Sequence, residues 1–182
     1  MNAFLKNYLA GADVVQIARG LIGAELRVHQ NGGTIACFRI VETEAYRHYD
    51  DAASHARKGY PTLRTAPMFG PSGHAYIYLC YGMHHLFNIV TNREGKADAV
   101  LIRGIQRIKG AIDMQRIHGP GRVGKTLGIT SQMSGHNLSQ PPLELTGPVN
   151  QFLTTIRSGP RIGIDYAGAD ALLPWRFWLP GD

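Results

Sequence analysis

Glu42, Glu44 and Tyr46 stand at alternate positions of one apolar-flanked segment, Val41-Glu42-Thr43-Glu44-Ala45-Tyr46. If that segment is extended, the three project from one face while Val41, Thr43 and Ala45 project from the other. A carboxylate is then set beside an aromatic ring at the end of a strand, where a general base can face a cleft from a rigid support. The same spacing also describes solvated strand residues, as most acids are.

A second group follows in Ala75-Tyr76-Ile77-Tyr78-Leu79-Cys80-Tyr81-Gly82-Met83. Tyr76 and Tyr78 share a strand face, and Tyr81 falls in a tight turn, where a large ring is left in water unless it has something to enter or folds back on the domain. A wedge between base pairs is one such use. Arg103 ends the apolar run Val100-Leu101-Ile102, and a partly buried guanidinium needs an anionic or carbonyl partner, for which Glu44 is a candidate.

Two further patterns suggest other chemistries. Gly119-Pro120-Gly121-Arg122-Val123-Gly124-Lys125-Thr126 fits the phosphate-loop spacing of nucleotide triphosphatases, but that motif needs a buried strand to deliver the loop to a helix, and Arg107 to His118 reads as a charged, helix-like segment. The eight histidines contain no H-E-x-x-H and no Cys/His cluster, so no metal site is expected. His55 is set apart only by its place in the loop that follows Tyr46.

These side chains must be positioned by the elements around them. Asp13 can cap a helix over Val14 to Arg19 that Gly20 or Gly23 ends. Alternation over residues 24–29 and 34–41, around Asn31-Gly32-Gly33, predicts two strands, the second running on to Tyr46. Residues 47–74 lack periodicity and read as one long functional loop. Strands are expected over 75–80, 85–90 and 97–103, a helix from Ile105 to Met114, and short strands after Arg157. The sum is an α+β fold: one domain spanning 1–182, with a curved, mainly antiparallel sheet, flanking helices and a protruding hairpin.

Bulk properties agree. The chain has 182 residues, 44% hydrophobic and 18% charged, enough for a full core without staples. No apolar run reaches the ~20 residues of a membrane span, and the amino terminus lacks an export-signal layout, so a cytoplasmic protein is expected. Cys37 and Cys80 lie in apolar runs and are expected to be reduced and mostly buried. Nineteen Lys and Arg against thirteen Asp and Glu give a net charge of +6, a balance that attracts phosphates.

The linked motifs resemble the alkyladenine (3-methyladenine) DNA glycosylase family. The resemblance is carried by Val41 to Tyr46, Met68-Phe69-Gly70-Pro71 with Gly73, Tyr76 to Met83, Asn88-Ile89, Val100 to Arg103, Gly119 to Arg122, Arg161-Ile162-Gly163-Ile164 and Trp175-Arg176-Phe177. It implies base excision repair by a monofunctional glycosylase that acts as a monomer on double-stranded DNA containing damaged purines, needs no metal or cofactor and, in a bacterium, is nucleoid-associated. By the same resemblance Glu44 is the general base, with Arg103 and the main chain near Ile164 helping to hold its water. Tyr46, His55 and Tyr78 stack around the extruded base, and Asn88 screens out normal guanine. Tyr81, with Met83, fills the gap in the duplex, while Arg122 and Lys125 meet its backbone. The chain departs from the family pattern at Arg47-His48-Tyr49-Asp50, at His84 and Leu86, and in a short insertion before Ala97, which bears on the range of lesions accepted. A non-catalytic damaged-DNA-binding protein is the alternative reading.

Overall fold

The computed structural model describes residues 1–30, 32–48, 50–109, 112–149, 152 and 154–181, and for 109 and 112–114 the backbone alone. Two short helices open the chain. In α1 (Ala3–Leu9) the Asn2 side chain accepts the Leu5 N–H, and in α2 (Val14–Gly20) the Asp13 carboxylate accepts those of Val15 and Gln16, so both first turns find acceptors for otherwise orphaned donors. The Asp13 cap matches the sequence reading; α1 is an element that reading did not contain.

Among the described residues nine antiparallel strands form one curled sheet, with β1 (Glu25–His29), β2 (Ile35–Tyr46), β3 (Ala75–Cys80), β4 (His84–Thr91) and β5 (Asp98–Lys109) followed by β6 (Ile112–His118), β7 (Leu143–Thr146), β8 (Arg157–Gly159) and β9 (Arg176–Trp178). The main path runs β3-β4-β5-β2-β1-β7, with β6 on β5 and β9 on β2. A third helix, α3 (Pro120–Leu127), packs against β4, and the α+β architecture holds. Asn31, in the expected β1–β2 turn, lies outside the described residues.

The helical expectation for Ile105–Met114 is overturned. The described residues of that span lie in β5 and β6, residues 110 and 111 falling outside them, and β5 is paired on both edges, to β2 and β6. Two-sided sheet pairing overrides the three- and four-residue isoleucine spacing that imitates a helix. The phosphate-loop pattern also takes a different form: a strand does precede it, but Pro120–Leu127 is itself helical, so no loop is left to cradle a phosphate.

β2 is the spine of the site. β5 lines one edge, while β1 takes the other over Ile35–Arg39 and β9 over Glu42–Glu44, so the segment that carries Glu44 is central in the sheet. Phe38 and Ile40 face the main core, and so do Thr43 and Ala45. That change of parity is made by a bulge at Val41, answered by a second at Arg103 on β5, because Ile40 pairs with Ile105, Glu42 with Gly104 and Thr43 with Ile102. Without it, strict alternation from Phe38 and Ile40 would drive Glu42 and Glu44 into the apolar core, at a cost no unpaired carboxylate could meet. Helices α1 and α2 cover the core face through Leu5, Leu9, Val14, Ile17 and Ala18. Thr43 Oγ1 clamps β2 to them by donating to the Ala18 carbonyl at 2.8 Å.

Candidate active site

On the opposite face of β2 the carboxylate of Glu44 is wholly buried. Its Oε1 accepts the Ile162 N–H at 2.9 Å, and its Oε2 accepts the Tyr46 hydroxyl at 2.8 Å. Arg103 Nη1 stands 3.6 Å from Oε1. The nearer carboxylate to Arg103 is Glu42, 3.3 Å from Nε, and Glu42 is also held by Arg176 at 3.1 Å. Arg103 thus bridges two carboxylates, an arrangement made possible because it is the extra residue of its bulge.

All three partners of Glu44, namely Tyr46, Arg103 and Ile162, line a cavity of about 520 Å³, within the range of small-ligand sites. One wall is aromatic. His55 Nδ1 lies 2.9 Å from the Tyr76 hydroxyl, its ring meets Tyr78 edge-on at 4.6 Å, and the Tyr76 and Tyr78 rings are 5.5 Å apart. Asn88 forms part of the floor, fixed by its amide N–H donating to the Tyr76 carbonyl at 3.1 Å across the hairpin. Ile164 closes another side, packed with Ala53 and Tyr46.

Burial dominates the electrostatics. It raises the Glu44 carboxyl above the usual glutamate value, against the opposing pull of Arg103, the Ile162 N–H and Tyr46. The Tyr46 phenol is pushed well up by burial and then by the neighbouring Glu44 charge, so it remains a donor to that carboxylate. Burial, helped by Arg64, lowers His55 to about 4, which leaves its imidazole neutral at physiological pH.

At the rim Tyr81 is 89% exposed and Met83 70%, at the tip of the hairpin joining β3 to β4. Tyr81 and Gly82 have φ of 51° and 69°, and the Met83 N–H closes the turn onto the Cys80 carbonyl. A non-glycine residue held at positive φ is costly for a tyrosine and keeps its ring aimed outward. Arg122 and Lys125 are exposed on α3. That helix sits hard on β4: a Cβ on Gly124 would come within 1.9 Å of the His85 carbonyl oxygen, and one on Gly121 within 2.9 Å of the His84 ring. The glycines of the phosphate-loop lookalike therefore serve close helix–strand approach.

The sequence-selected residues Tyr46, His55, Tyr78, Asn88, Arg103 and Ile164 all border the one cavity, with Tyr81 at its edge and Glu44 behind its wall. The main-chain group on Glu44 is the Ile162 N–H, two residues before Ile164. Arg103 lies within ion-pair distance of Glu44 and nearer still to Glu42. One feature differs from expectation: the cysteines are only half-buried, Cys80 because it lies where the hairpin emerges beside the cavity. Tyr49 of the divergent loop lies outside the described residues.

Sequence reasoning missed Arg64, whose guanidinium lies 5.0 Å over the Tyr78 ring, and Tyr166, at the cavity mouth. It also gave no role to Asp51 and Arg161, a fully buried ion pair. Arg161 sat within a quoted motif, but nothing in its neighbours Pro160, Ile162 and Gly163 marks it as buried. Among the described residues no group of three or more His, Cys, Asp or Glu could hold a metal, and no helix is long and apolar enough to cross a membrane.

Comparison with known proteins agrees with this geometry. Residues 8–182 match the family model described as Methylpurine-DNA glycosylase (MPG). A Myxococcus xanthus protein named "Putative 3-methyladenine DNA glycosylase" is 45% identical over 179 residues, covering 98% of this chain and 91% of its own. Proteins of the same name from Nitrosospira multiformis and Chlamydia abortus are 45% and 39% identical, covering 93% and 96% of this chain and 87% and 96% of their own. With a family match over nearly its whole length and an aromatic cavity backed by a buried carboxylate, the chain belongs to the methylpurine-DNA glycosylase family.

Proposed function

We propose that this protein excises alkylated purines, such as 3-methyladenine and 7-methylguanine, from duplex DNA by everting the damaged nucleotide into the cavity and hydrolysing its N-glycosidic bond. A base within the stack is closed to water, so eversion comes first, at a cost of a few kcal/mol that is least for a damaged pair. Tyr46, Tyr78 and His55 then offer ring faces and edges to the base. Electron-rich tyrosine faces attract a cationic purine by about 1–2 kcal/mol in a dry pocket. Asn88, pinned to the hairpin, discriminates against the exocyclic amino group of normal guanine.

Glu44 acts as the general base. A carboxylate offers about four acceptor positions, and two are taken here, by Ile162 and Tyr46, which leaves acceptor capacity for a water. That water's oxygen bonds to the anomeric carbon of the deoxyribose as the carbon–nitrogen bond breaks. The bonding electrons leave with the purine, and the water's proton passes to Glu44. The carboxylate charge also offsets the oxocarbenium character of the sugar, and Arg103 and the Ile162 N–H keep its oxygens in place. The products are the free base and an abasic site, with no covalent enzyme intermediate. A cationic purine leaves as a neutral one and requires no acid, which suits a cavity whose histidine is neutral.

The observation that carries this reading is the sequestered Glu44 carboxylate, whose partners are all cavity-lining groups. The exposed Tyr81 and Met83 suit insertion into the vacated step, and Arg122 and Lys125 suit backbone contact. The protein is expected to work as a cytoplasmic, nucleoid-associated monomer on double-stranded DNA without a cofactor. Single-turnover release of base from methylated duplex DNA tests it: Glu44→Gln is expected to lower the rate by ~10²–10⁴-fold, and release as fast as wild type would refute it. Lesion retention by the wild type with no free base would instead favour a damaged-DNA-binding protein.

A further inference from the structure

The guanidinium of Arg161 is buried, and both of its terminal nitrogens are engaged, while Nε finds no hydrogen-bond partner among the described residues. Nη1 and Nη2 fork onto the two oxygens of Asp51, the Nη2 contact being 2.8 Å. Nη1 also donates to the Ala45 carbonyl at 2.9 Å, and Nη2 to that of Asp170 at 3.2 Å. The guanidinium carbon lies 4.8 Å from the Tyr46 ring and 5.0 Å from that of Trp175. All but the Trp175 contact end on a segment that shapes the site. Ala45 lies between Glu44 and Tyr46, Asp51 turns the loop that delivers His55, and Asp170 belongs to the 3-10 helical stretch following Ile164. The residue next to Arg161 supplies the N–H that Glu44 Oε1 accepts.

A buried ion pair is poor value as a stabiliser, since apolar residues of like volume would hold as well. A planar fork with defined donors, in contrast, fixes orientation. We propose that the Asp51–Arg161 pair is a positioning device for the catalytic carboxylate, acting through the Ile162 N–H and the Tyr46 ring, an inference that rests on the hydrolytic role given to Glu44. It sets the peptide at Ile162 and backs the ring whose hydroxyl caps Oε2, so both hydrogen bonds of the carboxylate are indexed to one guanidinium. When the fork is lost, the two donors drift from Glu44 and the base is held less well in its ionised, aligned form.

The test uses the full chain with Asp51→Asn and Arg161→Lys, measuring single-turnover base release from methylated duplex DNA across pH. Positioning predicts that the maximal rate falls roughly 10- to 100-fold, that half-saturating DNA concentration moves by less than about threefold, and that the acid limb of the rate profile shifts to higher pH. Leu138→Ala, in the main core away from the site, supplies a variant of lowered thermal stability. Pair variants that, like it, lose stability but keep the rate and the acid limb would overturn the inference. Should the pair variants fail to fold, Gly163→Ala decides. Its φ of +76° strains the Ile162–Ile164 segment while a Cβ there meets nothing within 4 Å, so the pair itself stays intact. The expected result is the same upward shift of the acid limb, and an unmoved limb overturns the proposal. Glu44→Gln run in parallel separates the two levels: an active Glu44→Gln variant takes down the parent reading and this one together, whereas an inactive one beside unaffected pair variants sinks only the positioning role.

Discussion

Tyr46→Phe isolates one hydrogen bond while leaving the stacking ring in place. In the wild type the phenol donates to Glu44 Oε2 at 2.8 Å inside a site where neither group meets solvent freely. Hydrogen bonds to charged groups contribute about 1.5–3 kcal/mol, and a pKa unit corresponds to 1.36 kcal/mol. If the bond favours the ionised carboxylate by that amount, its loss raises Glu44 by roughly 1–2 units beyond a value that burial already lifts. The acid limb of single-turnover base release should move to higher pH by that interval, with the alkaline plateau and half-saturating DNA concentration little changed. Stability carries the same sign. A carboxyl whose folded-state pKa is raised contributes in full below the ordinary glutamate range, and that contribution fades as pH rises through the folded value. Tyr46→Phe extends the fading window upward, so the variant is less stable than wild type at neutral pH by about 1.5–3 kcal/mol, and the gap narrows in acid. A coincident acid limb, together with a Tm difference independent of pH, would refute the reasoning.

Other substitutions test separate parts. Gly124→Ala sets a Cβ 1.9 Å from a backbone oxygen, so α3 must lift from β4; thermal unfolding should show a loss of about 1–3 kcal/mol, and an unchanged Tm would mean the contact is looser than described. Arg122→Ala and Lys125→Ala should each weaken binding to undamaged duplex and reduce the slope of log affinity against log salt by about 0.9, while leaving the maximal release rate alone. Tyr81→Ala should weaken capture of the everted nucleotide, seen as slower signal change from a fluorescent base at the lesion, more than it slows hydrolysis after capture; equal capture would contradict the wedge role.

The parts of the site legible in the sequence were those whose chemistry depends on local spacing. Glu44 and Tyr46 share a strand face, Tyr76 and Tyr78 share another, and Tyr81 falls in a tight turn, all of which two-residue periodicity and turn chemistry expose. What stayed hidden depends on long-range pairing. The bulges at Val41 and Arg103 are defined only by the register of β2 against β5, so nothing local says that Arg103 will lie between Glu42 and Glu44. The Ile162 N–H reaches Glu44 from 118 residues away. The isoleucines at 105, 108 and 112 carry a helical rhythm, yet strands on either side of β5 outweigh it. Arg64 escaped notice because a cation in an aperiodic loop has no pattern until the loop folds its guanidinium over Tyr78.

Helix α3 and strand β4 meet with no side chain between them at Gly124, and the outer end of that strand is the foot of the Tyr81 turn. The cationic helix and the exposed hairpin tip are therefore mounted on a single stiff bracket. If Arg122 meets a phosphate and Tyr81 the vacated step, as proposed above, a displacement that seats the one would be carried to the other with little slack, so gripping the duplex and testing one step for weakness would become the same movement. A bulkier residue at the joint would act like play in a hinge, blunting the search for damage even while the chemistry at Glu44 stayed whole.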